Sequence, residues 1–409
     1  MGSTYSEING PRLLADLRTL ARFGKEGQGV NRLSFSPEDI EARAWLRGRM
    51  RDAGLNTQID GVGNVFGQTP NVGRTVLIGS HTDTVPNGGW LDGAMGVIYG
   101  LEIARAMIEA GSLRDGGVDV ISFADEESTY VVTLGSRSFV GELADSEITE
   151  GKSIVGETLV AALERAGYAG SARAALDPGR HTAYLEAHIE QGPRLEAEGK
   201  RIGVVTSIVG MRGMEASFQG QADHAGTTPM RLRKDAGAAL FAFAAEVTAA
   251  FEETSAADTV WNFGHVVFEP GAGNVVPRAA RLLIEYRDPS EGVLDAMETA
   301  VLKAADRVNR EGKVVAETHR SFSLAPVAMN PNLVQCIEDS ARHYKAPAVR
   351  MPSGAGHDAM HLARHLPTGM LFIPSIGGRS HDIAEDTSEE DIVLGAQVLA
   401  RAVEAILAA

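Results

Sequence analysis

The stretch Gly79-Ser-His-Thr-Asp-Thr-Val-Pro-Asn-Gly-Gly-Trp-Leu-Asp-Gly-Ala-Met-Gly-Val97 decides how the rest of the chain is read. It follows Thr75-Val-Leu-Ile78, a short apolar run with the character of a buried strand. His81 and Asp83 stand just past that run, and Asp92 opens an apolar, helix-like segment. A strand end is a rigid platform. An imidazole placed there and backed by a carboxylate is a common way to fix a metal-ligating histidine in one tautomer. Asp92 ahead of Gly93-Ala-Met-Gly-Val97 also suits a helix N-cap.

Outward from this stretch, strand and helix patterns alternate. Residues 93–110 read as a helix, and Val118-Asp-Val-Ile-Ser-Phe-Ala124 reads as a second short strand that ends in Asp125-Glu126-Glu127. Upstream, residues 11–22 carry an amphipathic helix pattern. Ser36-Pro37-Glu38-Asp39 supplies an N-cap, a proline at the first helical position and a capping acid for another helix, which Gly54 closes. Residues 56–67 read as strand and turn, and 142–180 are polar and irregular. A strand over 184–187 leads into His188-Ile-Glu190-Gln191-Gly192, and another covers 202–209. Such alternation implies a mostly parallel sheet with covering helices, whose ligand sites lie beyond the C-terminal strand ends.

The pattern then changes. Residues 214–220 alternate as a half-buried strand, 234–251 form a long Ala-rich helix, 259–268 and 281–287 are strands, and 293–310 are a helix. That order suits a small α+β domain with an antiparallel sheet. The last part returns to the first style. A helix covers 330–344, Ser353-Gly-Ala-Gly-His357-Asp-Ala359 opens another, and Met370-Leu-Phe-Ile-Pro374 is a buried strand followed by Ser380-His381. Thr387 with Glu390 makes a capping box for the final helix. The expected architecture is α/β. A metal-binding domain over 1–209 and 326–409 holds a mixed, mostly parallel sheet, and an α+β domain over 210–325 is inserted into it.

Composition narrows the function classes. At 409 residues the chain exceeds one ordinary core, so two domains are expected. A net charge of −16 argues against nucleic acid and anionic membranes as partners. The single cysteine, Cys336, allows no intrachain disulfide and fits a reducing, cytoplasmic setting. Met1-Gly-Ser-Thr-Tyr-Ser-Glu-Ile-Asn9 shows neither the basic nor the apolar region of a secretory signal, and no apolar run approaches membrane-spanning length.

Five positions carry the chemistry: His81, Asp92, the Glu126-Glu127 pair, His188 and His381. All but Asp92 follow apolar β-type runs, so one parallel sheet would bring them together. Histidines and carboxylates without cysteine form a hard-to-borderline donor set that suits Zn²⁺, Mn²⁺ or Co²⁺. Adjacent glutamates diverge from an extended strand, so one can ligate while the other stays free as a base. Asp92 is short enough to bridge two ions. Taken singly, each position has a plainer reading as a loop histidine, a surface acid pair or a helix cap. Those readings must hold at all five positions together.

The spacing His81…Asp92…Glu126-Glu127…His188…His381 resembles the di-metal hydrolase family of aminoacylase, bacterial glutamate carboxypeptidase and peptidase T. Finer motifs resemble one branch: the opening stretch, Glu186-Ala-His188-Ile-Glu-Gln191-Gly-Pro193, His224-Ala-Gly-Thr-Thr-Pro-Met230, Gly273-Asn274-Val-Val-Pro277 and Ser353-Gly-Ala-Gly356-His-Asp-Ala359. That branch holds N-carbamoyl-L-amino-acid hydrolase, β-ureidopropionase and allantoate amidohydrolase. The resemblance spans essentially the whole chain and implies two divalent metal ions per subunit. His81, Asp92 and His188 would hold one, and Asp92, Glu127 and His381 the other. Asp83 would orient His81, and Glu126 would be the general base. The inserted domain would act as lid and homodimer contact and would bring His224 to the oxyanion, often across the dimer. Gln191, Arg212, His224, Asn274, Arg287 and Gly356 would hold a small substrate, with Arg287 gripping its carboxylate. Plainer readings are a salt bridge from Arg287 to Glu285 or Asp288, an Asp223-paired turn histidine at 224, and a turn residue at Asn274.

The implied reaction is hydrolysis of a linear amide or ureido C–N bond in an N-carbamoyl or N-acyl amino acid. Allantoate-type and small-peptide or acyl-amino-acid substrates are the alternatives. A non-catalytic binding protein of the same fold would lack a ligand or the base, and none is missing. Two segments depart from the branch. Ser128-Thr-Tyr-Val-Val132 stands where it carries Gly-Ser-Arg-Phe, and Gly377-Gly-Arg379-Ser-His381 stands where it carries Gly-Gly-Ile-Ser-His.

Overall fold

The apolar run before His81 continues as a strand to the histidine itself in a computed structural model that describes residues 7–113 and 116–409. Residues 1–6, at the head of the segment read for a secretory signal, and residues 114–115 lie outside the described residues. The strands of the two main sheets are, in chain order, β1 (Asn56–Ile59), β2 (Val65–Gln68), β3 (Thr75–His81), β4 (Gly117–Phe123), β5 (His181–Ile189) and β6 (Ile202–Ile208). They continue as β7 (Gly210–Gln219), β8 (Val260–Glu269), β9 (Ala279–Asp288), β10 (Val315–Leu324), β11 (Val327–Ala328), β12 (Ala348–Ser353) and β13 (Thr368–Ile373). The long helices are α1 (Gly10–Leu20), α2 (Pro37–Asp52), α3 (Ala94–Ala110), α4 (Ala236–Thr254), α5 (Glu291–Glu311), α6 (Pro331–His343) and α7 (Glu389–Ala408).

The larger sheet has nine strands in the order β11-β6-β13-β5-β3-β4-β2-β1, with β12 paired to β6. Its centre, β13-β5-β3-β4, is parallel; β6 and β2 flank it antiparallel. Every residue of β3, β4 and β13 is buried, as a parallel sheet covered on both faces requires. The helix α3 returns from β3 to lie on β3 and β4. Gly96 allows that approach, because a Cβ there would meet the Ala187 carbonyl oxygen at 2.4 Å. The mostly parallel sheet with covering helices agrees with the sequence reading.

The smaller sheet runs β8-β9-β7-β10, antiparallel throughout. Along β9, Ala280, Leu282, Ile284 and Tyr286 point into a core with Phe218, Phe243 and Met297, on the side covered by α4 and α5. The alternate residues face the other way and stay more exposed. The chain thus forms two units: one runs through Thr206 and resumes at Ala328, and the other is Ser207–Val327.

Local details differ from the sequence reading. Gly93, not Asp92, is the N-cap of α3, at φ 62° and without a side-chain cap bond. The last helix is capped one residue later than expected: Ser388 Oγ accepts from the Asp391 N–H at 3.0 Å, and Thr387 stands outside. The segment after Ser353 forms only the short helix Ala359–Leu362. Three strands of these sheets are absent from the sequence reading, among them the two-residue β11. β10 is an edge strand with almost no buried residue, and β12 contains Pro352. No described helix is long and apolar enough to cross a membrane.

Candidate metal centre and active site

Parallel strands deliver the site residues to one edge of the sheet. His81 closes β3, Asp125-Glu126-Glu127 follow β4, His188 lies at the end of β5, and the chain after β13 reaches His381. The Nδ1 of His81 is 3.0 Å from the Asp83 backbone carbonyl, and that of His188 is 2.8 Å from the Ile189 carbonyl. A carbonyl can only accept, so the proton sits on Nδ1 in both rings and each presents Nε2.

Asp92 is the centre of the cluster. Its Oδ1 is 2.8 Å from His188 Nε2 and 3.7 Å from His81 Nε2; its Oδ2 is 3.3 Å from His381 Nε2. His381 Nε2 is also 3.4 Å from Glu127 Oε1, and His81 Nε2 is 3.6 Å from Glu126 Oε2. Three sets of donor atoms lie within 4.8 Å of one another: His81/Asp92/His188, Asp92/Glu127/His381 and His81/Glu126/Glu127. The first two share Asp92, one oxygen toward each, which is the geometry of a carboxylate able to join two cations. Nitrogen and oxygen donors alone make this a fit for borderline or hard divalent ions. Proximity by itself puts Glu126 in the same cluster as the other acids. Gly93 is needed here, because a Cβ on it would meet His81 Nε2 at 2.3 Å.

The charges are strongly perturbed. Burial works to raise the Asp92 carboxyl, yet the imidazoles of His188, His381 and His81 outweigh it and hold the group well below the usual range. His381, bonded to Asp92 and Glu127, is pushed up to about 10. Burial works to lower His188, but Asp92 and Glu186 carry it to about 9. Glu126 goes the other way: burial first, then the charges of Asp358, Glu127, Asp83 and Asp92, hold its carboxyl well above the normal value. Buried acids crowded in this way need positive charge nearby, and divalent cations would supply it.

Asp83 differs from its expected part. Its carboxylate Oδ1 is 3.8 Å from His81 Nδ1, beyond hydrogen bonding; its backbone carbonyl holds that ring instead. Its Oδ2 accepts from Ser34 Oγ at 2.9 Å and from the Glu127 N–H at 3.1 Å, so the carboxylate positions the acid pair. Gln191, read as a substrate contact, donates from Nε2 to Asp92 Oδ2 at 2.9 Å, beside Ser380 Oγ at 3.0 Å. Gly356 lies half-buried between Ser353 and His357.

Four buried residues behind the cluster were not singled out from sequence. Glu186 accepts from Ser80 Oγ at 2.8 Å, Tyr184 Oη at 3.1 Å and the Ala359 N–H at 2.8 Å. The ring of His357 lies 4.7 Å from that of His188, and burial holds it well below the usual histidine value. Burial and Glu186 push Asp358 up to about 8. Glu385 receives the Leu91 and Asp92 N–H groups, both at 3.0 Å. The available signal was a charged residue inside an otherwise apolar run, as at Glu186.

In Ser207–Val327 the candidates separate. His224 and Asn274 are neighbours: the two segments pair at His224 and Val275, and the Ala225 N–H donates to the Asn274 carbonyl at 3.0 Å. Both side chains are exposed. Arg287 pairs with Glu285 at 2.6 Å on the outer face of β9, the plainer reading of that residue. Arg212 does not join them. It sits opposite Tyr286 in the β7–β9 register, so it points to the helix-covered face, opposite to Arg287. There it is buried and ion-paired with Glu298 at 2.8 Å, Asp295 at 2.7 Å and Glu291. Its guanidinium holds β7 to α5.

Residues 77–405 match peptidase family M20/M25/M40. The chain is 35% identical over 413 residues to an N-carbamoyl-L-amino-acid amidohydrolase of Paenarthrobacter aurescens, covering 98% of this chain and 99% of that one. It is 31% identical to an allantoate amidohydrolase of Bacillus subtilis, covering 93% of each. It superposes with a TM-score of 0.94 on the crystal structure of an amidase of the hydantoinase/carbamoylase family from Burkholderia phymatum, at 49% identity and 99% coverage of both. The chain belongs to the M20/M25/M40 peptidase family, in agreement with the branch that its motifs resemble.

Proposed function

We propose that this protein is a metal-dependent amidohydrolase that cleaves a linear C–N bond in a small N-carbamoyl or N-acyl amino acid. The observation that carries this is Asp92, set with one oxygen toward His188 and the other toward His381, with Glu126 beside it. In this reading His81, Asp92 and His188 hold one divalent ion and Asp92, Glu127 and His381 the other. When bound, zinc, manganese or cobalt ions acidify water and polarise the scissile carbonyl.

The remaining work falls to side chains. Glu126 takes a proton from the attacking water at its carboxylate and hands it to the departing nitrogen. A carboxyl raised by burial is suited to both halves of that transfer. Asp83 keeps Glu127 in place through its backbone N–H. We assign His224 to the developing oxyanion, Arg287 to the substrate carboxylate, and Gln191, Asn274 and Gly356 to the rest of the substrate. An N-carbamoyl substrate and one water then give the amino acid, CO₂ and ammonia. The inserted unit as lid and homodimer contact, and a cytoplasmic setting, belong to the same reading. Likeness to an allantoate amidohydrolase supports ureido acids as the alternative substrates.

The test is chelation of the purified protein, add-back of each metal, and turnover of a panel of N-carbamoyl and N-acyl L-amino acids and allantoate by mass spectrometry. Metal-dependent cleavage of a panel member is expected. Turnover indifferent to chelation, or none with any metal, rejects the proposal.

A further inference from the structure

The loop that carries Glu126 and Glu127 is held in an uncommon shape. Asp125, Ser128 and Thr133 all have positive φ, at 56°, 62° and 48°. Side chains other than glycine enter this region only when the surroundings compel them.

Three anchors oppose relaxation. The Asp125 carboxylate accepts from the N–H groups of Thr129, Tyr130 and Val131 at 2.7, 2.9 and 2.8 Å. Asp83 holds the Glu127 N–H. The third anchor is at the far end. Thr133 is the N-cap of the short helix Leu134–Phe139, yet its hydroxyl makes no cap bond; it lies 2.9 Å from His361 Nε2. The other ring nitrogen of His361 is 3.0 Å from Glu142 Oε2, just past the end of the same helix. With a carboxylate on Nδ1 the proton resides there, and Nε2 accepts the Thr133 hydroxyl. Glu142 is kept in place by Arg364 at 3.2 Å and His365 at 3.1 Å. Thr133 and His361 are 5% and 8% exposed, so water is a poor substitute for either bond.

We propose that His361 is a positioning residue for the Glu126–Glu127 pair: its imidazole spans both ends of the helix behind the loop and pins Thr133. The inference rests on the reading of Glu126 as base and Glu127 as ligand, and its test includes a measurement that needs neither metal nor turnover. Hydrogen exchange over residues 125–133 is followed in the metal-free protein for wild type, Thr133→Val, Thr133→Ser, His361→Leu and the Thr133→Val/His361→Leu double variant. Exchange there speeds up in Thr133→Val and His361→Leu, stays at wild type in Thr133→Ser, and is no faster in the double variant than in either single one. In the metal-loaded enzyme the same two single variants lower kcat on the order of 10-fold with KM unchanged, as a small misplacement of a reacting group does. His361→Gln, which keeps an acceptor on a planar side chain, recovers most of the loss. Wild-type exchange over 125–133 in both single variants, or losses that add in the double variant, overturns the proposal. A wild-type enzyme without hydrolytic activity would reject the proposed function and leave the exchange result to decide on the brace.

Discussion

The larger unit and the inserted unit present their polar groups in opposite ways. Around Asp92, the metal-binding candidates His81 and His188 are buried, each ring has its Nδ1 fixed by a carbonyl, and Glu127 is held through its own N–H. In Ser207–Val327, His224 and Asn274 are exposed, and Arg287 is about a third exposed and paired with Glu285. Fixed, water-poor groups suit bond-breaking chemistry, where the geometry must exist before the substrate arrives. Exposed groups keep their hydration until a ligand replaces it and suit recognition. Variants in the first set should therefore strike kcat; in the second, Asn274 and Arg287 variants should strike KM, and only His224, assigned to the oxyanion, should strike kcat as well.

The sharpest test lies in the buried set. Glu126→Gln keeps the shape and removes the proton acceptor; kcat should fall by about 10²- to 10⁴-fold. Metal content by elemental analysis should stay at wild type, because the ligand set does not need Glu126. A fully active variant would mean that the base is elsewhere in the cluster. Next in size is metal removal. The chelated protein should lose activity and melt at a lower temperature, and add-back should restore both, since a ligand that binds only the folded state stabilises it. An unchanged melting temperature would mean that the acids at this sheet edge tolerate one another without cations.

The two arginines give a direct contrast. Arg287→Ala should raise KM by about 10- to 100-fold with kcat largely kept, the effect of about 1.5–3 kcal/mol from charge-assisted hydrogen bonds to a carboxylate. Arg212→Met should leave KM alone and destabilise the fold by about 1–3 kcal/mol, because it removes the buried guanidinium that pairs with Glu291, Asp295 and Glu298. Of these acids, only Glu298 keeps a second partner among the described residues, Arg320. Steady-state kinetics and thermal melts on both variants separate the outcomes. An unchanged KM in Arg287→Ala would move the substrate carboxylate to another group.

That contrast also marks where sequence reading stops. The residues gathered at Asp92 were legible because each follows an apolar run, and parallel strands bring their C-terminal ends to one side. Arg212 was misplaced because strand faces alternate with a period of two, and one residue of register decides which face is met. The pairing with Tyr286 and the ion pairs to α5 show that Arg212 faces the helices. The strand β10 was illegible because most of its residues are exposed and it carries no buried alternation. Glu385 lies far along the chain from Asp92, with no motif to connect them; only the fold places its carboxylate on the Leu91 and Asp92 N–H groups.

The smallest expected effect probes the loop that links the two acids to the sheet. Ser128 is exposed and at φ 62°, and its hydroxyl makes only a 3.4 Å bond to the Glu126 carbonyl. Glycine there removes a left-handed penalty of about 1 kcal/mol. It also frees the unfolded chain, which offsets about 0.4–1 kcal/mol of that gain. Ser128→Gly should therefore stay within about 0.5 kcal/mol of wild type, with kcat unchanged. Valine at the same place cannot take positive φ without strain and should cost about 1–2 kcal/mol, with a drop in kcat as the loop shifts Glu126. Chemical denaturation and kinetics of the pair decide the matter. If valine proves as harmless as glycine, the chain at 128 is not held left-handed in solution, and the acids depend on Asp83, Asp125 and the Thr133–His361 pair for their placement.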